Sequence, residues 1–592
     1  MLAKLSTGRY AISGAVGLAL LGAGLPAVAA DGPGADLSRF YRQKVSWSKC
    51  TGMEAPRDLQ CGKVTVPLDY ARPSAGTLDL ALARYRATTK HKRGSVLLNF
   101  GGPGGAGVPQ LAAGGHDFMG LTDEYDVVTF DPRGVGRSSP VSCGDGTDEA
   151  LEATDDETAL DHDPRAVLGH LREAADQCAK HSGPVLPHIG TVNASRDLDV
   201  MRQALGDRKL NYLGFSYGTR LGAVYAAQFP EKVGRLVLDG VDTLTEPLAE
   251  QGVAGAAGQQ TALEDFVAWC AKDIACPFGT DARTGREQVV RLVASLDEDP
   301  LPTGFGPDFT GQDLVGAISQ ALYSEDLWPS LERALAELVE QGDATGVLGF
   351  AGGGSGFLAG THARVHDSAG RGHGTGASTH RVPYGTGTPT HRTGSTKPRT
   401  DDGTGSPTPH TGTGTGTPTS RSAQTTAPTG DPTDGALADA EDVPLDNLPA
   451  ALMAINCADD PDRPGADRIA EDLGRLREEY EQASPVFGRY RLTEYLMCYG
   501  RPKGTDFIRD EVRDLRTPKM LLVGTRGDPA TPYRWTVETA KRLGDSAVVL
   551  DNKGEGHTGY ASSKCVHRKV DDFLLYGSLP PSGSSCGPER EE

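Results

Sequence analysis

The chain has 592 residues, of which 38% are hydrophobic and 23% charged, a globular composition with room for more than one domain. Acidic side chains outnumber basic ones by 79 to 59, a net charge of −20. Such a surface repels nucleic acid and anionic membranes, so neither is an expected partner.

Residues 1–30 have the pattern of an export signal: Lys4 and Arg9 in a positive start, an apolar run over 11–25, and Ala27-Val28-Ala29 as a cleavage pattern. The mature chain is then expected to start at Ala30 or Asp31. No cysteine follows the cut site, so a lipid anchor is not expected. No other run is long enough to span a bilayer, so no stable membrane insertion is expected after cleavage. The ten cysteines, an even number in an exported chain, suggest disulfides, most simply between neighbours in chain order. No C-x-x-C occurs, which leaves a zinc or thioredoxin-type site without support.

Residues 31–90 read as an N-terminal extension with early strands. Strands are then expected near 96–100, 127–130, 210–213 and 235–238. They alternate with helix-like runs at 164–180 and 194–205, the pattern of a parallel sheet. The first of these strands runs into Gly101-Gly102-Pro103-Gly104-Gly105. A glycine loop lets backbone N–H groups approach a substrate oxygen with no side chains in the way. No G-K-[ST] ending follows, so a phosphate-binding P-loop is ruled out. The second strand leads into Asp131-Pro132-Arg133-Gly134-Val135-Gly136-Arg137-Ser138, expected to be a structural turn with an internal Asp–Arg pair.

Gly214-Phe215-Ser216-Tyr217-Gly218 places a serine in a G-x-S-x-G frame between a strand and a helix-like run. That is the nucleophile elbow of an α/β-hydrolase. Small residues flank the serine because the turn is too tight for side chains there. The N–H of Tyr217 and the start of the helix face the reacting carbonyl. In this fold the second oxyanion donor comes from the loop after the third strand, here Gly102, with Gly101 next.

Residues 243–505 turn helical, with amphipathic runs at 258–272, 286–296, 330–341 and 468–482, the place for a cap. Within it, 351–439 is dominated by Gly, Thr, Pro, Ser and His and is expected to be disordered. Its six histidines are irregularly spaced, which suits a solvated linker better than a metal site. Strand–helix alternation returns over 515–578. A strand at 519–523 leads to Asp528, and one at 547–550 leads to His557. The order Ser216, Asp528, His557 is that of the α/β-hydrolase triad and not of chymotrypsin-like or subtilisin-like enzymes. Asp239 and Asp131 are the rival acids, and His116 and His188 the rival bases. The expected architecture is an α/β-hydrolase fold with a mostly parallel sheet and a helical cap domain interrupted by a disordered insert. Its divisions are 1–30 signal, 31–242 first part of the core, 243–505 cap and 506–592 last part of the core.

Together, Gly101–Gly105, Asp131–Ser138, Gly214–Thr219, Ala454-Ile455-Asn456-Cys457-Ala458-Asp459 and Gly527-Asp528-Pro529-Ala530-Thr531-Pro532 resemble secreted bacterial tripeptidyl aminopeptidases. These are prolyl iminopeptidase-like serine peptidases, and the resemblance covers roughly 40–345 and 445–590. It implies a secreted exopeptidase that removes short peptides, often tripeptides, from peptides or proteins with free N-termini. It also implies Ser216, Asp528 and His557 as triad, Gly102 and Tyr217 as oxyanion hole, and no metal or organic cofactor. The long insert departs from the family pattern, and cap sequence usually sets substrate choice. An aminopeptidase must also hold a free ammonium, for which a cap carboxylate would serve. Asp459, Asp460 and Glu494 are the candidates. Two other readings stand beside this one. One is a secreted esterase or lipase with the same triad, which the 6% aromatic content disfavours. The other is a non-catalytic, wall-associated binding protein with the Thr/Pro tract as a stalk.

Overall fold

The computed structural model describes residues 36–144, 160, 163–303, 308–351, 434–435 and 437–587. The expected signal at 1–30 and nearly all of the expected 351–439 insert lie outside these residues. The strands are β1 (Ser48–Lys49), β2 (Gln60–Pro67), β3 (Thr77–Tyr85), β4 (Gly94–Asn99), β5 (Tyr125–Phe130) and β6 (Leu210–Phe215). They continue with β7 (Val233–Asp239), β8 (Asp434–Gly435), β9 (Met520–Gly527), β10 (Ala547–Glu555) and β11 (Ser585–Cys586). They form one sheet in the order β1-β2-β3-β5-β4-β6-β7-β9-β10-β11, with β8 added beside β3. The β1–β2, β2–β3 and β3–β5 pairs are antiparallel, and every pair from β5 to β11 is parallel. Helices cover both faces of the centre of the parallel part, so a central strand such as Tyr125–Phe130 is buried along its whole length, whereas β10 near the edge alternates buried and half-buried residues.

Two differences from the sequence expectation are informative. The far end of the expected insert is structured, because β5 pairs only with residues 82–85 of β3. The backbone of Thr77 and Leu78 is thus left open on that side, and Asp434 and Gly435 take it up. The Asp131 turn also differs. Its carboxylate accepts the backbone N–H groups of Val108 and Arg137, at 2.9 and 3.1 Å. The ion pair is not internal: Arg133, fully buried, reaches Asp197 with Nε and Nη2 at 2.7 and 2.6 Å. Arg133 also donates to the carbonyls of Pro67, Leu68 and His188. One guanidinium thus ties β2, the turn and the helix Thr191–Ala204 together.

The expected helices form where capping and apolar periodicity coincide. Asp163 caps Pro164–His181 by accepting the Ala166 N–H. Asp281 does the same for Ala282–Glu298. Trp328–Gln341 stops at Gly342, whose φ of +68° suits a left-handed C-terminal cap. The helices Leu248–Cys270, Ala282–Glu298, Gly311–Ala321 and Trp328–Gln341 share an apolar cluster around Phe266, Phe309, Trp328 and Phe487. Pro164–His181 packs on Ala466–Ala483 through Leu168, Leu171, Ile469 and Leu473. Asn447–Asp459 instead buries Ala450, Ala451, Ala454 and Ile455 in the cluster shared with sheet residues such as Leu97, Val128 and Tyr212. The ten cysteines pair as neighbours in chain order: Cys50–Cys61, Cys143–Cys178, Cys270–Cys276, Cys457–Cys498 and Cys565–Cys586. Among the described residues no helix is long and apolar enough to cross a membrane.

At the carboxyl end of β7, Asp239 is fully buried and joins three loops. Its carbonyl accepts the Ser216 N–H at 2.9 Å. Its carboxylate accepts the N–H groups of Gly559 and Tyr560, the shortest bond being 2.7 Å. Burial raises the Asp239 carboxyl to about 6, against the pull of those two N–H groups.

Two stability outcomes follow from these buried groups. Arg133→Ala leaves Asp197 buried without its counter-charge, and urea unfolding is expected to show a loss of about 3–5 kcal/mol. For Asp239, the folded state holds the proton more tightly than the unfolded chain does. Its contribution is therefore full below the unfolded pKa and is lost as pH rises through about 6. The stability gap between wild type and Asp239→Asn is expected to narrow by on the order of 3 kcal/mol from acid to neutral pH.

Candidate active site

The parallel register brings five strand ends into one row. Asn99 of β4 lies beside Gly214 of β6, Phe215 beside Asp239 of β7, Asp239 beside Val523 of β9, and Gly527 beside Glu555 of β10. The glycine loop, Ser216, Gly240, Asp528 and the turn to His557 all start from this row, where open parallel sheets place their sites.

Ser216 ends β6 with φ +55° and ψ −127°, a strained conformation for a residue with a side chain. The flanking glycines have a steric reason. A Cβ on Gly214 would come 2.5 Å from the Gly218 carbonyl, and one on Gly218 would come 2.7 Å from the Asn99 carbonyl. The helix Tyr217–Gln228 begins at the next residue, so the Tyr217 N–H belongs to a first turn that has no partner inside its own helix. The glycine loop lies directly against this elbow. A Cβ on Gly101 would meet the Phe215 carbonyl at 2.6 Å and Ser216 Cβ at 2.9 Å. Gly102 and Ser216 line the same cavity. A Cβ on Gly104 would meet the Leu448 carbonyl at 2.9 Å, so Asn447–Asp459 packs directly against the loop.

Asp528 directly follows β9, and His557 follows β10 by two residues. His557 Nδ1 lies 2.9 and 3.0 Å from the two Asp528 carboxylate oxygens, which places its proton on Nδ1 and leaves the lone pair on Nε2. Asp528 also accepts the N–H groups of Ala530, Thr531 and Thr558 and the Thr531 hydroxyl. Burial alone would raise its carboxyl. The His557 contact and these N–H groups outweigh burial and hold it below the ordinary carboxylate range. Asp239, the rival acid, is turned to the backbone after His557 instead. A Cβ on Gly240 would lie 3.4 Å from His557 Cε1, so the Asp239–Gly240 turn touches both Ser216 and His557. His116 pairs with Asp117, and His188 lies on the turn held by Arg133.

The cavity at Ser216 has a volume of about 400 Å³. Leu171, Leu248, Leu452, Met453 and Trp535 give it apolar walls. Of the three carboxylates expected to face a substrate ammonium, Glu494 lines it. Glu494 pairs with Arg491 at 2.6 Å and keeps 28% of its side chain exposed. Asp459 and Asp460 do not line it, because their bonds go to the protein itself. Asp459 accepts the Thr191 N–H and hydroxyl at 2.8 and 2.5 Å and faces Arg220. Asp460 accepts the Asp462 N–H and pairs with Arg509.

Tyr323 is a contact that sequence reasoning missed. Its carbonyl accepts the His557 N–H at 2.9 Å, and its ring stands edge-on to the imidazole at 5.1 Å. No motif marks it, since it is an aromatic residue just past the end of an ordinary helix. Among the described residues, Cys270, Cys276 and Glu332 have metal-binding proximity, but both sulfurs are joined in a disulfide.

Residues 484–586 match the family described as TAP-like protein, and residues 95–333 match the alpha/beta hydrolase fold. The chain is 30% identical over 568 residues to serine protease Hip1 of Mycobacterium tuberculosis, covering 92% of this chain and 91% of that protein. It is 37% identical over 305 residues to a tripeptidyl aminopeptidase of Streptomyces lividans, covering 49% of this chain and 55% of that protein. It is 29% identical over 561 residues to carboxylesterase B of Mycobacterium tuberculosis, covering 92% and 90%. A serine on a strained elbow, a histidine held by a buried aspartate and relatives of this kind lead to one conclusion: the chain is a serine hydrolase of the peptidase kind and belongs to the tripeptidyl aminopeptidase-like family of α/β-hydrolases.

Proposed function

We propose that the protein is an exported exopeptidase that releases short peptides, tripeptides foremost, from free N-termini. The observation that carries this reading is the bidentate Asp528–His557 contact behind a cavity that holds both Ser216 and Glu494. His557 Nε2 takes the Ser216 proton as Oγ attacks the scissile carbonyl, and Asp528 stabilises the imidazolium. The N–H groups of Gly102 and Tyr217 stabilise the oxyanion, each by roughly 3 kcal/mol. The amine then leaves, and water hydrolyses the acyl-enzyme. Glu494 receives the substrate ammonium beside Arg491. The outer helices of 243–505 act as the cap that limits how much peptide enters. The five disulfides accord with export.

A second reading, a carboxylic ester hydrolase with the same residues, is favoured by the carboxylesterase B relative. One experiment separates the two. The mature protein and its Ser216→Ala variant are given a tripeptide anilide with a free amine, its N-acetylated twin and a short-chain nitrophenyl ester. The exopeptidase cleaves the free-amine anilide far faster than its twin, and Ser216→Ala lowers kcat by at least about a thousandfold. Ester turnover without anilide turnover selects the second reading.

The role of Glu494 has its own test. Glu494→Gln is expected to raise KM for free-amine substrates by roughly tenfold or more, with a smaller change in kcat, because a charge-assisted bond becomes a neutral one. An unchanged KM removes Glu494 from the ammonium site.

A further inference from the structure

Three arginines line the Ser216 cavity: Arg220, Arg491 and Arg501. Two are neutralised. Arg220 meets Asp242 at 2.9 Å and Asp459 at 3.6 Å. Arg491 meets Glu494 at 2.6 Å and Gln259 at 2.9 Å. Arg501 is different. Among the described residues no carboxylate lies within ion-pair distance of it. Its Nη2 donates to Cys178 Sγ at 3.1 Å, and a disulfide sulfur is a weak acceptor for a group with five N–H donors.

The backbone holds this cation in place. The Arg501 N–H donates to the Cys498 carbonyl, and Cys498 is bridged to Cys457 at the end of Asn447–Asp459. The Arg501 carbonyl accepts Nε of Arg463. Gly500, with φ +80°, lies so close to the helix Pro164–His181 that a Cβ would come 2.9 Å from Arg172 Cα. Leu171, Ala174 and Met497 line the same cavity as Arg501. Burial, with repulsion from Arg463, lowers its pKa to about 10, so it still carries its charge at neutral pH. A largely buried cation without an anion is costly, and a planar guanidinium matches a carboxylate with two parallel bonds.

We propose that Arg501 is a carboxylate-binding subsite of the Ser216 cavity, and that it selects peptides bringing an acidic group into that cavity. This rests on the peptidase reading of the cavity and adds a substrate class to it. The carboxylate is either an Asp or Glu side chain in the released peptide or the free C-terminus of a short peptide.

The test compares tripeptide anilides carrying Glu or Gln, in turn, at each of the three positions. A second series compares short peptides ending in a free acid or an amide as competitive inhibitors. Wild type, Arg501→Gln and Arg501→Lys are measured. In wild type, kcat/KM is expected to favour Glu over Gln by about tenfold at one position if the carboxylate is a side chain. The inhibition constants favour the acid over the amide if it is the C-terminus. The preference falls to near unity in Arg501→Gln and is partly kept in Arg501→Lys. Because the readout is a ratio within each protein, a general loss of activity does not imitate it. Calorimetric binding of the same peptides to Ser216→Ala proteins, with and without Arg501→Gln, reads the ratio without catalysis. A wild type indifferent to the carboxylate in both series overturns the proposal, as does a preference that Arg501→Gln leaves intact. Failure of the peptidase reading looks different: the neutral Gln peptides are then not cleaved in a Ser216-dependent way.

Discussion

The buried carboxylate of Asp239 is the constraint on which the candidate site depends. Its carbonyl fixes the start of the elbow and its side chain fixes the turn after His557. The buried rings of Phe215 and Tyr560 pack the two loops together as well. A carboxylate accepting backbone N–H groups in a water-free environment holds them with charge-assisted bonds. Asp528 works in the same way one strand further along, with four protein donors besides the imidazole. Two anions, each satisfied by backbone, thus set the geometry of one imidazole.

Around this centre the protein spends glycine where backbones must nearly touch. Gly101, Gly214 and Gly218 each exclude a side chain for a stated steric reason. The strain at Ser216 persists because β6, the glycine loop and the helix Tyr217–Gln228 leave that turn no other path. The helical side of the cavity is built differently, from apolar packing with paired arginines at its edge, and Asn447–Asp459 is the element common to both sides.

Much of this was legible in the sequence, and the reasons are physical. The elbow, the glycine loop and the Asp528–His557 pair each require particular residue types at fixed local spacing. The central strands β4 to β7 and β9 read correctly because parallel strands buried on both faces are largely apolar runs. Neighbour pairing of cysteines was the simplest reading, and it holds even where the partners are 35 and 41 residues apart. What could not be read were contacts that depend on long-range placement. No local pattern says that Arg133 would choose Asp197 over Asp131, or that Asp459 would spend its oxygens on Thr191. Tyr323 and Arg501 are ordinary residues made important by what the fold brings beside them. The end of the insert escaped for a related reason, since Asp434 and Gly435 pair with the distant backbone of β3.

The chain-order pairing of the cysteines has a topological consequence. No disulfide spans the stretch from Cys276 to Cys457. A single cut by another protease anywhere between them would yield two polypeptides with no covalent link. One would carry Ser216, and the other Asp528 and His557. Their association would then rest on strand pairing, chiefly β7 against β9, and on the packing of Asn447–Asp459 against the glycine loop. A clipped molecule would therefore be a complementing pair of fragments, separable by denaturant alone even with every bridge intact.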